Sequence, residues 1–207
     1  MLTTLDHPVI RTKLAELRDR RTESRAFRAL VEEVAMLMTY EITRSMPTRE
    51  RSITTPLEPT VGHELARPVC LVPILRAGLG MTSGVMRLIT DCRVGHVGLE
   101  RDEKTAEAGA YYHKLPPDIA LCETIVTDPM LATGGSACRC IAFLKSQGVS
   151  ASNIRFMCLV AAPEGIAKLE AEHPDVPVFA AEVDRELDER HYIRPGLGDA
   201  GDRIFGT

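Results

Sequence analysis

The chain has 207 residues, enough for one compact domain with a full core, and its 44% hydrophobic and 26% charged composition is that of a globular protein. The net charge of −4 and pI near 5.9 offer no footprint for nucleic acid, and no apolar run reaches membrane-spanning length. Neither a nucleic-acid nor a membrane partner is therefore expected.

Residues 8–20 are read as a short helix, with Val9, Leu14 and Leu17 on one side. Residues 23–45 are clearer: Phe27, Leu30, Val31, Val34, Leu37, Met38 and Ile42 recur at helical spacing, with charges between them. Pro47, Pro56, Pro59, Gly62 and Pro68 then punctuate a connection in which 52–57 reads as an extended arm, suited to meeting a neighbouring subunit. Val69 to Ile74 is a buried strand. It is followed by the small-residue turn Leu75-Arg76-Ala77-Gly78-Leu79-Gly80 and a helix to about Leu88. Arg76 stands at that turn, where its planar fork suits a phosphate. Val94 to Leu99, a charged excursion from Arg101 and a return through Tyr111 and Tyr112 predict a protruding hairpin.

The densest signal is residues 121–139. Leu121 to Thr127 is an apolar, β-branched strand, Asp128 to Gly135 a turn, and Ser136 to Gln147 a helix stopped by Gly148. The first N–H groups of a helix lack intrahelical partners, and the helix dipole favours negative charge there. Gly134 and Gly135 allow positive φ and close backbone approach, while Thr133 and Ser136 add hydroxyls. The turn therefore suits a phosphate. Asp128 repels one, and the hydroxyls of an attached sugar are its natural partner. Ile154 to Ala161 is a further buried strand, Pro163 opens a helix to about Glu172, and Val176 to Val183 is the next strand. Repeated strand–helix alternation predicts an α/β protein with a mainly parallel central sheet flanked by helices, its ligands beyond the carboxyl ends of the strands.

The tail from Leu187 to Thr207 is rich in glycine, which argues against a regular helix or strand. Its Tyr192, Ile193, Leu197, Ile204 and Phe205 are costly to expose, so a compact loop offering backbone donors and acceptors is expected. No Cys-x-x-Cys pair occurs among Cys70, Cys92, Cys122, Cys138, Cys140 and Cys158, and buried reduced thiols are expected. The N-terminal residues lack the pattern of a signal peptide, and the expected location is cytoplasmic.

Three motifs carry a family resemblance. Asp128-Pro129-Met130-Leu131-Ala132-Thr133-Gly134-Gly135-Ser136 resembles the phosphoribosyl-pyrophosphate (PRPP) loop of uracil phosphoribosyltransferases, in which proline follows the first acid. Residues 72–81, Val-Pro-Ile-Leu-Arg-Ala-Gly-Leu-Gly-Met, resemble the family's pyrophosphate loop. Tyr192-Ile193-Arg194-Pro195-Gly196-Leu197-Gly198-Asp199-Ala200-Gly201-Asp202-Arg203 is similar to its uracil-binding segment. Arg101 to Thr105, with Tyr111-Tyr112-His113-Lys114-Leu115-Pro116, resembles the flap over PRPP, although Gly109-Ala110 replaces the family's Pro-Val and Arg194 a small apolar residue.

The resemblance implies a type I phosphoribosyltransferase fold of about five parallel strands, in a single domain over 1–207, with a flap hairpin and a C-terminal hood at about 187–207. It implies conversion of uracil and PRPP to UMP and pyrophosphate. Arg76 and Arg101 would hold the pyrophosphate, Pro129 to Ser136 the 5′-phosphate and Asp128 the ribose hydroxyls. Ile193, Gly198 and Ala200 would read uracil by backbone, with Asp199 near ribose or base. Arg101, Asp128 and Asp199 are the candidate catalytic residues. Mg²⁺ is implied, bound mainly through PRPP and not by a protein metal site. A homodimer or higher homo-oligomer is also implied, and so is a GTP effector, since GTP activates some members. An RNA-binding pyrimidine regulator on the same fold is the rival reading. Net acidity and Asp128-Pro129, in place of paired acids, argue against it.

Overall fold

A computed structural model of the chain describes residues 2–101 and 108–207. In chain order the elements are β1 (Leu2–Thr4), α1 (Pro8–Arg18), α2 (Ser24–Ile42), β2 (Thr48–Thr54), β3 (Pro59–Leu65), β4 (Val69–Leu75), α3 (Thr82–Leu88), β5 (Arg93–Val94), β6 (His96–Arg101), β7 (Ala108–Lys114), β8 (Glu123–Thr127), β9 (Met130–Leu131), α4 (Gly135–Ser146), β10 (Ile154–Ala161), α5 (Pro163–Glu172), β11 (Val178–Val183), β12 (Glu186–Leu187), β13 (Ile193–Arg194) and α6 (Ala200–Phe205).

The main sheet runs β1-β11-β10-β8-β4-β6-β7, and every neighbouring pair is parallel except β6–β7. Six parallel strands thus stand where about five were expected. Alternation along each strand divides the core into two layers. Val69, Leu71, Ile125, Met157 and Leu159 face Leu14, Leu17, Phe27, Val31, Val34, Met38 and Val85 of α1–α3. Cys70, Val72, Val126, Phe156, Cys158 and Val178 face Ala137, Ile141, Leu144, Ile166 and Leu169 of α4 and α5. Apolar side chains on both faces explain why β4 and β10 are near-continuous hydrophobic runs.

Four details depart from the expectations. In α1 it is Ile10, with Leu14 and Leu17, that is buried, while Val9 is exposed. The arm is longer than 52–57: β2 and β3 form an antiparallel ribbon in register from Thr48–Leu65 to Thr54–Pro59, turned at Thr55–Glu58. The strand before the central turn begins at Glu123, because Ile119–Leu121 is one 3-10 turn. The tail contains the short strand β13 and the helix α6. That helix survives two small residues because Asp199 caps it, its carboxylate accepting from Asp202 N–H at 3.0 Å, and because Ile204 is buried. Gly206 ends it at φ 75°.

Candidate active site

Two loops leave adjacent strands at the same edge of the sheet, since β4 and β8 are neighbours. The loop after β4 folds down onto the end of β8. Gly78 lies so close to Thr127 O that any side chain there would collide with it. The tail closes over the same place: Ile204 packs against Gly80, and Ala77 lies beside Gly201. Residues 75–81, 127–136 and 193–205 therefore converge beyond the carboxyl ends of β4 and β8.

The loop after β8 is held by backbone bonds from both directions. Asp128 N–H donates to Met157 O at 3.1 Å, Leu159 N–H to Pro129 O at 3.0 Å and Ala162 N–H to Leu131 O at 2.9 Å. Met130 and Leu131 form β9 against Val160 and Ala161. Gly165 of α5 supports it from behind, where a Cβ would strike Ala132 O. Gly134 takes φ 77° as N-cap of α4 and brings no capping side chain, while the Thr133 hydroxyl accepts from Gly135 N–H at 3.5 Å. Of the two glycines only Gly134 needs a positive φ, and Gly135 is the first helical residue. The first intrahelical bond runs from Cys138 N–H to Gly134 O at 2.9 Å, so the N–H groups before it point into the turn. Asp128 and residues 130–137 line a hollow of roughly 80 Å³, several times the roughly 10–15 Å³ that one water needs by the same measure, so a phosphate-sized group has room there.

Asp128 is half-buried at the floor of this hollow, and burial pushes its carboxyl up from 3.8 to about 7, partly opposed by a bond from Met130 N–H. Arg76 is exposed. Its guanidinium reaches Asp202 at 3.5 Å and lies 5.9 Å from the Phe205 ring centroid, so it bridges the β4 loop to α6. Asp199 is exposed, with one oxygen committed to capping α6. Ile193 and Ala200 are buried and Gly198 is exposed at φ 74°, an arrangement that presents backbone. Arg194 turns aside to Asp188, at 2.5 Å. Arg101 ends β6 at the turn end of the β6–β7 ladder, paired with Ala108. Its side chain, with residues 102–107 of the expected flap, lies outside the described residues.

Sequence reading missed the ion pair of Arg18 with Asp184, at 2.6 Å, and the supporting position of Gly165. Arg18 and Asp184 are isolated charges far apart in the chain, and no local pattern links them. All six cysteines are buried free thiols. Among the described residues, no helix is long and apolar enough to cross a membrane.

A parallel sheet with a phosphate-sized turn at a helix N-terminus, a second small-residue loop on the adjacent strand and a hood above both defines a phosphoribosyltransferase of type I architecture. The hypoxanthine-guanine phosphoribosyltransferase of Bacillus anthracis shares the fold, with a TM-score of 0.54 at 12% identity over 78% of this chain and 80% of that one. The AQ2163 protein from Aquifex aeolicus is more similar, with a TM-score of 0.91 at 31% identity over 100% and 99% of the two chains. The family model described as Uracil phosphoribosyltransferase matches residues 4–207. The uracil phosphoribosyltransferase of Clostridium acetobutylicum is 56% identical over 207 residues, covering 100% of this chain and 98% of that one. That of Staphylococcus epidermidis is 53% identical over 203 residues, covering 98% and 96%. The chain belongs to the uracil phosphoribosyltransferase family.

Proposed function

We propose that the protein transfers the 5-phosphoribosyl group of PRPP to uracil, giving UMP and pyrophosphate. The observation that carries this reading is the convergence of the β4 loop, the β8–α4 turn and the hood on one edge of the sheet. In this assignment the N–H groups and hydroxyls from Thr133 to Ser136 hold the 5′-phosphate, with Pro129 to Ala132 shaping its seat. Asp128 takes the ribose hydroxyls. Arg76 and Arg101 hold the pyrophosphate, and the backbone of Ile193, Gly198 and Ala200 reads the planar edge of uracil. Asp199, already capping α6, has its second oxygen left for ribose or base.

Breaking the anomeric bond builds positive charge on the sugar and negative charge on the leaving pyrophosphate. Cations at the leaving group, with water kept out, favour that charge separation. Positioning of the two substrates supplies the rest. Magnesium fits this donor set in a restricted way. Among the described residues Asp128 is the one carboxylate lining the hollow, and Thr133 and Ser136 add hydroxyls, so the ion would be held mainly by PRPP oxygens and water, as suits a hard cation. Its chemistry there is to neutralise the pyrophosphate.

The reading includes a cytoplasmic location and a homodimer or higher homo-oligomer, and the exposed β2–β3 arm, with Leu57 95% exposed near its tip, supports the oligomer alone. It also includes GTP as an effector, for which the family resemblance is the only support.

The test is turnover with PRPP and Mg²⁺, offering uracil, cytosine, hypoxanthine and orotate separately. UMP and pyrophosphate from uracil alone are expected. Activity with another base would overturn the base assignment and spare the PRPP site. Inactivity with every base, with and without GTP, would overturn the enzyme reading.

A further inference from the structure

The hood segment from Ile193 to Ala200 projects beyond the sheet, and the ribbon beneath it has only two residue pairs, Glu186–Arg194 and Leu187–Ile193. So short a ribbon cannot set the position of a base-reading backbone to a fraction of an ångström. The fastening comes from elsewhere. Gly196 N–H donates to Asp184 Oδ2 at 2.9 Å, and Gly196 O accepts from Arg18 Nη1 at 2.9 Å. The same two side chains grip each other, Arg18 Nη1 to Oδ2 at 2.9 Å and Nη2 to Oδ1 at 2.6 Å. Both backbone polar groups of one hood residue, Gly196, therefore end in a bidentate ion pair.

That pair is anchored on rigid elements. Asp184 is 6% exposed, and its own N–H donates to Ala161 O at 2.8 Å, continuing the β10–β11 pairing. Arg18 closes α1, whose Leu14 and Leu17 are core residues. Gly196 takes φ 68°, and a Cβ there would strike Ile193 O, so Gly196 and Ile193 are locked together across the turn. The next residue is tied to the same end of α1. Arg203 Nη1 donates to Leu197 O at 2.8 Å and to Leu17 O at 2.5 Å, while its guanidinium lies 4.2 Å over the Phe27 ring.

Resting on the reading of 193–200 as the base site, we propose that Arg18 and Asp184 are positioning residues for uracil: they fix the base-reading backbone through Gly196 and so set uracil affinity without touching the substrate. Charge-assisted and bidentate bonds suit that task, since they constrain direction as well as distance.

The experiment compares steady-state kinetics of wild type, Asp184→Asn and Arg18→Lys, varying uracil and PRPP in turn, with melting curves as a check of folding. Asn keeps the shape of Asp184 and loses its charge. Lys keeps the charge of Arg18 but has one nitrogen, so it cannot reproduce the grip of Nη1 and Nη2 on the two Asp184 oxygens. The uracil KM is expected to rise about tenfold in Asp184→Asn and by less in Arg18→Lys, with the PRPP KM within about twofold of wild type, as misplacement of one substrate demands. An unmoved uracil KM, or an equal rise in both KM values, overturns the role. If Asp184→Asn does not fold, Arg18→Lys decides by the same two outcomes. A wild-type chain that makes no UMP from uracil overturns the base assignment and this role with it, whereas an active wild type with unmoved variants overturns this role alone.

Discussion

Asp128 carries two demands that pull apart. Its place at the floor of the hollow suits sugar hydroxyls, yet the same burial raises its pKa to about 7. Between about pH 4 and pH 7 the folded chain keeps a proton that the unfolded chain has lost. Stability therefore falls as pH rises through that window, and above pH 7 the penalty is complete. Asp128→Asn removes the penalty and can still accept from Met130 N–H. At pH 8 it should stabilise the chain by about 2 kcal/mol, a discounted share of the ~1.4 kcal/mol per pKa unit that the shift implies. The gain should vanish at pH 4, while turnover drops steeply at every pH. Thermal melts at the two pH values check the first part. A variant no more stable at pH 8 than wild type would mean that the carboxylate is well solvated. Asp128 and its loop were legible as a motif because the interactions are local: a strand end, a turn and a helix start within one short stretch. Arg18 and Asp184 were not, because what gives them meaning is a contact across 166 positions.

At the scale of elements, the central turn is held less by its own sequence than by α5. Gly165 leaves no room for a methyl against Ala132 O and Leu131 O. Gly165→Ala should push the 131–134 backbone out of place and raise the PRPP KM about tenfold, the scale on which ångström misplacements act, while the uracil KM moves less. Initial-rate kinetics with each substrate varied will show which KM moves, and an unchanged PRPP KM would mean that the loop adapts freely. Elements announced by burial were readable: β4 and β10 as apolar runs, α2 by its helical stripe. The arm read poorly because every residue of β2 is exposed, so no face alternates with another. The helix α6 read poorly because six residues, one of them glycine, hold a helix only with the Asp199 cap and the packing of Ile204 on Gly80.

In the molecule as a whole, Leu57, at 95%, is the most exposed large hydrophobic side chain among the described residues. It shares the arm with the exposed Ile53 and Val61, and none of the three belongs to either core layer. If the arm lies on a second subunit, Leu57→Glu should weaken association by about 3 kcal/mol, roughly a hundredfold, since a buried leucine contributes about 1.5–3 kcal/mol and a charge in its place adds a desolvation cost. Sedimentation over a concentration series measures this, and an unshifted dissociation constant would place the interface elsewhere.

The six cysteines, all buried and unpaired, give the chain an internal clock. Burial raises Cys70 and Cys140 to about 12 and Cys92 and Cys138 to about 11, so at neutral pH these are thiols and not the reactive thiolates. A thiol reagent finds no ready target while the two layers stay closed over the sheet. Labelling must wait for the protein to open, and with thiols in β4, β10 and α4 its rate counts those openings directly.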